Sequence, residues 1–164
     1  MPDKPLDAAS PLPEMTALAQ QARQQAQAVL QKIPVVGPVA WLMMQQAATR
    51  HSSLSELEWR VIPALVLDQA KLYMSDQAPV AFVSWALLSE QAAARYAHAP
   101  HHLTPADWKS GGQVWVIDVL APFGGAKGVL DELRTDVFPG KQIHQLAPTP
   151  AGEAKVLVWP AVAD

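Results

Sequence analysis

The run Gln113-Val114-Trp115-Val116-Ile117-Asp118-Val119-Leu120, followed by Ala121-Pro122-Phe123-Gly124-Gly125-Ala126-Lys127-Gly128, decides the fold. The first eight residues are almost all β-branched, aromatic or aliphatic, which reads as a buried strand. The glycine-rich segment after it reads as a tight strand-to-helix turn, with a helix from Ala126 to Phe138 closed by Pro139-Gly140. Period-two alternation puts Val114, Val116 and Asp118 on one face, with Trp115, Ile117 and Val119 on the other. Asp118 is the anomaly. An acid inside such a strand needs a partner, because an isolated buried charge costs several kcal/mol. A loop backbone, an arginine, or a histidine that it orients all fit that requirement.

Working outward, Ala70 to Met74 and Pro79 to Ala86 read as a hairpin around Ser75-Asp76-Gln77. Ser89 to His98 is a short helix, Thr104-Pro105-Ala106-Asp107 resembles a helix start, and Lys141–Leu146 and Lys155–Trp159 are closing strands. Upstream, Ser53 and Glu56 form a capping-box pattern before a helix that Pro63 should end or kink. Val39, Leu42, Met43 and Gln46 share one helical face, with Pro38 suited to its first turn. The order of helices, hairpin, helix, strand, helix and strands indicates one α+β domain with a mostly antiparallel sheet flanked by helices. That domain spans 33–164. Residues 1–32 are expected as a loose proline-containing tail and an accessory Gln/Ala-rich helical extension over Glu14 to Lys32.

The 164 residues carry 50% hydrophobic and 16% charged side chains, enough apolar material for one core. A net charge of -3 argues against nucleic acid as the main partner. The absence of cysteine removes disulfides, thiolate metal sites and cysteine nucleophiles. Val35 to Met44 is broken by Gly37 and Pro38 and is too short to span a bilayer, and MPDKPLDAAS lacks a signal-peptide pattern. A cytoplasmic domain without stable membrane insertion is expected. His98, His101 and His102 cluster around Pro100, but no carboxylate is spaced with them as a ligand, so no metal is expected.

Several segments together resemble the RTX toxin-activating lysine acyltransferases. They are Gly37-Pro38-Val39-Ala40-Trp41-Leu42, Val61-Ile62-Pro63-Ala64, Pro79-Val80-Ala81-Phe82-Val83-Ser84-Trp85-Ala86, Asp107-Trp108-Lys109-Ser110-Gly111, and Trp115 through Gly124. They lie in the family's order over roughly residues 36 to 140. The resemblance implies a GNAT-like fold, often homodimeric, that transfers a fatty acyl group from acyl carrier protein to an internal lysine of an RTX-type protoxin. No bound cofactor is expected beyond that donor.

The resemblance also implies a catalytic histidine and aspartate. Asp118 matches the aspartate. The family's Ser-Pro-x-His falls on Gln46-Ala47-Ala48-Thr49, so Thr49 occupies the histidine position and His51 stands two residues on. His51 is the candidate base and Asp118 its orienting acid. Gly124, Gly125 and Lys127 are candidates to lie near the donor's phosphopantetheine arm. Their turn lacks the Gln/Arg-x-x-Gly-x-Gly/Ala pattern of coenzyme A binders. The alternative is a catalytically impaired module of the same fold that binds acyl carrier protein or toxin.

Overall fold

The computed structural model describes residues 12–162. Helix α1 (Pro13–Gln45) is followed by α2 (Leu54–Arg60), α3 (Ile62–Val66), and strands β1 (Ala70–Ser75) and β2 (Ala78–Leu88). Then come α4 (Glu90–Tyr96), β3 (Gln113–Leu120), α5 (Ala126–Glu132) with a π-helical turn (Leu133–Val137), β4 (Ile143–Pro148) and β5 (Ala154–Trp159). The five strands form one sheet in chain order. Every neighbouring pair is antiparallel except β3–β4. That one parallel step is where α5 makes the crossover, since parallel neighbours cannot be joined by a tight hairpin. The expected α+β class and mostly antiparallel sheet are thus observed.

Local chemistry explains where elements begin, end and depart from expectation. The α1 helix is continuous through Pro34 and Pro38, although each lacks a donor for the preceding turn. Its buried residues Val39, Leu42 and Met43 pack against Val61, Leu65, Phe82 and Leu120, which supplies tertiary support to the proline-bearing half. Contacts divide the chain between Gln31 and Lys32. The break between α2 and α3 falls at Val61, and Pro63 sits in the first turn of α3, where its missing N–H is harmless.

Ser53 holds the N-cap position of α2 without capping it. Its hydroxyl meets Ser55 Oγ at 2.7 Å, and Glu56 instead accepts from Trp59 Nε1 at 2.9 Å. Thr104 to Asp107 forms a turn rather than a helix start. Asp107 accepts from Thr104 N and Oγ1 at 2.9 and 2.8 Å, closing the segment on itself.

The β2–β3 register sets the geometry of the site. Ser84 pairs with Asp118, yet the next residue, Trp85, pairs with Val116. Ile117 is therefore the extra residue of a β-bulge. Along β2 the alternation is regular: Ala81, Val83 and Trp85 face one core with Val114, Val116, Val129 and Leu133. Phe82, Ala86 and Leu88 face the opposite side, covered by α1, α3 and α4. Because Ser84 belongs to this second side, its partner Asp118 does too. The expected grouping of Asp118 with Val114 and Val116 is overturned: the bulge turns the acid to the face that carries Trp115 and Leu120.

Candidate active site

On that face Asp118 is buried, 6% exposed, and its partner is an arginine. Arg60, in the last turn of α2, donates through Nε to Asp118 Oδ2 at 3.0 Å and through its terminal nitrogen to Oδ1. The fork-on-fork geometry satisfies both carboxylate oxygens. Glu56, one turn earlier, lies 3.8 Å from the same guanidinium. Burial alone pulls the Arg60 pKa down, but the hydrogen bond and charge of Asp118, with Glu56 behind it, outweigh burial and raise it. Tyr96, at the end of α4, is buried beside the pair. Burial first, then the Asp118 charge, push its phenol pKa upward against the opposing pull of Arg60. Tyr96 therefore stays a neutral hydroxyl donor.

The strands open beside this cluster. The parallel β3–β4 ladder consists of Val114 with Ile143, Trp115 with His144 and Val116 with Gln145. Pairing stops where the bulge begins. A cavity of about 400 Å³ occupies the resulting fork, lined by Ile117 from β3, Leu146 to Pro148 from β4, and Glu56, Arg60, Tyr96, His101 and Glu153. Its walls combine apolar strand residues with one cation, two carboxylates, a phenol and an imidazole. That set suits a substrate with an apolar portion and a cationic or carbonyl group to orient.

The remaining sequence candidates lie elsewhere. Thr49 is buried, and its hydroxyl donates to Met43 O at 2.8 Å, which leaves it no role as a base. His51 is exposed in the turn after α1 and makes no side-chain hydrogen bond among the described residues. The start of that turn is anchored to β3, because Gln46 donates to Val119 O at 3.1 Å and accepts from Ala121 N at 2.9 Å. Gly124 and Gly125 have φ of 99° and 92°, a left-handed pair that side chains rarely adopt. They border a second cavity of about 430 Å³ with Tyr73, Val80, Ala81 and Val129. Ala81 and Val129 belong to the core on the other face of the sheet from Asp118. Lys127 is exposed and pairs with Asp131 at 2.5 Å.

The three clustered histidines diverge. His98 Nδ1 meets Ala94 O, His101 Nδ1 meets Tyr96 O, and the His102 ring lies 4.5 Å from that of Trp59. Among the described residues, no three His, Asp or Glu side chains converge on a metal site.

Arg60, Tyr96 and His101 are the members of this cluster that sequence reasoning missed. The one available signal was the demand of Asp118 for a partner, which could not say which of the chain's arginines answers it.

The family model for the RTX toxin acyltransferases matches residues 28–160. The chain is 38% identical over 100 residues to the RTX-II toxin-activating lysine-acyltransferase of Actinobacillus pleuropneumoniae, covering 61% of this chain and 62% of that one. It is 42% identical over 90 residues to the leukotoxin-activating lysine-acyltransferase of Aggregatibacter actinomycetemcomitans, covering 55% and 54%. It is 35% identical over 105 residues to the protein-lysine myristoyltransferase of Kingella kingae, covering 64% and 63%. The chain thus spans a little under two thirds of the first of these relatives. With the family model matched across α2, the whole sheet and the Asp118 fork, the chain belongs to the RTX toxin acyltransferase family.

Proposed function

We propose that the protein transfers a fatty acyl group from acyl carrier protein to an internal lysine of an RTX-type protoxin. One observation carries this reading. In a chain of that family, the bulge at Ile117 sets the Asp118–Arg60 pair beside a part-apolar cavity where β3 and β4 separate. Peptide groups freed at a strand fork supply hydrogen bonds to an extended amide-containing arm. Such an arm, entering from the Gly124–Gly125–Lys127 turn, meets a lysine arriving on the Asp118 face. Glu56 and Glu153 attract the lysine ammonium. The Tyr96 phenol and the Arg60 guanidinium are donors for the oxyanion that forms when the amine attacks the thioester carbonyl. Asp118 acts through Arg60, holding the guanidinium in place, and is a positioning residue. His51, the sequence candidate for the lysine proton, stands two residues past the histidine position that Thr49 occupies and lies exposed, outside the lining of the fork cavity. Action in the cytoplasm, as a homodimer, completes the reading.

A second reading, a binding module that holds acyl carrier protein or toxin without turnover, has its own support. Both Asp118 oxygens are engaged by Arg60, and Thr49, where the family has histidine, is committed to Met43 O. Intact-mass analysis of an RTX protoxin co-expressed with the full chain separates the two. A fatty acyl mass gain mapped to an internal lysine supports transfer. An unmodified protoxin that still co-purifies with the chain supports the module.

A further inference from the structure

We infer that His101 is the general base of this site. The inference rests on the acyl-transfer reading above. His101 lines the fork cavity together with Arg60, Tyr96 and Ile117. Its Nδ1 lies 2.8 Å from the backbone oxygen of Tyr96. A carbonyl oxygen only accepts, so Nδ1 must carry the proton in that contact. The lone pair of the neutral ring is then on Nε2, which makes no hydrogen bond among the described residues. A ring nitrogen fixed by a backbone carbonyl, with its opposite nitrogen uncommitted, is the arrangement that prepares an imidazole to accept a proton.

The surroundings hold the ring in place. It is half-buried and meets the Tyr96 ring edge-on, with centroids 6.5 Å apart and planes at 81°. His101 also has φ of 55°, in the left-handed region that non-glycine residues rarely occupy. Backbone strain of this kind persists where surrounding structure enforces it, and it collects at functional sites. Of the candidates that the sequence offered for the proton, Asp118 is held by Arg60, Thr49 by Met43 O, and His51 lies exposed outside the cavity lining.

The step balances as follows. The lysine enters as an ammonium and gives one proton to His101 Nε2, which releases it to solvent. The neutral nitrogen bonds to the thioester carbon, the C–S bond breaks, and the second nitrogen proton ends on the departing sulfur. An amide, a thiol and one released proton account for all atoms. The charged and titratable groups around the imidazole are Glu56 and Arg60 from α2, Tyr96 from α4, Asp118 from β3 and Glu153 from the β4–β5 turn. The adjacent His102 ring faces Trp59.

The test uses the full chain with palmitoyl–acyl carrier protein and an RTX protoxin, following thiol release and protoxin mass across pH. His101→Asn retains an amide donor for Tyr96 O and a residue type that tolerates positive φ, but removes the base. It should lower kcat/KM by roughly 10²–10⁴-fold across the pH range assayed. His101→Gly suits the backbone and opens a space, and added imidazole should restore part of its rate. His98→Asn, outside the cavity, should match wild type. His101→Asn within a few-fold of wild type, or His101→Gly without imidazole rescue, overturns the assignment. So does a loss confined to His51→Ala. Absence of transfer by wild type overturns the acyl-transfer reading itself, and this inference with it.

Discussion

The Arg60–Asp118 pair permits a quantitative prediction, because its two members are buried unequally. Asp118 is 6% exposed, whereas the Arg60 side chain is 19% exposed and has Glu56 at 3.8 Å as a second acceptor. Arg60→Gln strands an almost fully buried carboxylate, so it should cost about 3–5 kcal/mol, the range for breaking a buried pair from one side. Asp118→Asn leaves a guanidinium that can turn toward Glu56 and solvent, so its cost should be about 1–3 kcal/mol. At about 2–4 °C per kcal/mol for a chain of this size, Arg60→Gln should melt roughly 6–20 °C lower and Asp118→Asn roughly 2–12 °C lower. In the double variant a neutral amide faces a neutral amide. The losses should then fall short of additivity by about 2 kcal/mol or more. Urea unfolding followed by tryptophan fluorescence measures the cycle. Additivity within about 0.5 kcal/mol, or a larger loss for Asp118→Asn than for Arg60→Gln, would refute the pairing and its burial asymmetry.

Asp107 should control part of the acid stability. Burial pushes its carboxyl upward, but hydrogen bonds from Thr104 and then Arg95 outweigh it and lower the pKa below the ordinary value. Its contribution is present above the unfolded-state pKa and is lost as pH falls through the lower native one. Asp107→Asn should therefore cost about 1–2 kcal/mol at pH 7 and progressively less as pH falls below the ordinary carboxylate range, as read by thermal melts across pH. Gly111→Ala should destabilise by several kcal/mol, because the added methyl collides with the backbone of Leu88 and Ser89. Gly112→Ala, whose methyl meets nothing within 4 Å, should be near neutral, so equal melting temperatures for the two would exclude the collision. A chain beginning at Lys32 should still unfold cooperatively, given the division at Gln31, and a broad, weak transition would show that residues 1–31 are needed for folding.

Most of the framework was legible because it depends on local pattern. QVWVIDVL is too rich in β-branched and aromatic residues for any other element, and the β1–β2 turn carries positive φ at Asp76 and Gln77, as a tight hairpin demands. The site was less legible because its decisive features are set between distant segments. The bulge at Ile117 has no glycine to announce it and exists only in the register against Ser84 and Trp85, so the face of Asp118 was misassigned. Arg60 lies 58 residues away in sequence from the carboxylate it holds. In the sequence His101 is only one of three histidines clustered around Pro100. Only the folded loop separates it from His98 and His102 and attaches its Nδ1 to Tyr96 O. The α1 helix went the other way: Glu14 to Lys32 and the face from Val39 to Gln46 read as two helices, with Pro38 opening the second, but one helix runs through both and is packed by Val39, Leu42 and Met43.

The central claim is that acyl transfer takes place in the fork between β3 and β4. Transfer from palmitoyl–acyl carrier protein to an RTX protoxin, compared between wild type and Ile117→Trp by intact mass, tests it most directly. Ile117 lines the cavity and takes no part in the Arg60–Asp118 hydrogen bonds, so an indole there should fill the fork. The account predicts an acylated protoxin with wild type and at least a tenfold slower reaction with a folded Ile117→Trp. An unmodified protoxin with wild type, or an unchanged rate with the cavity filled, would contradict it.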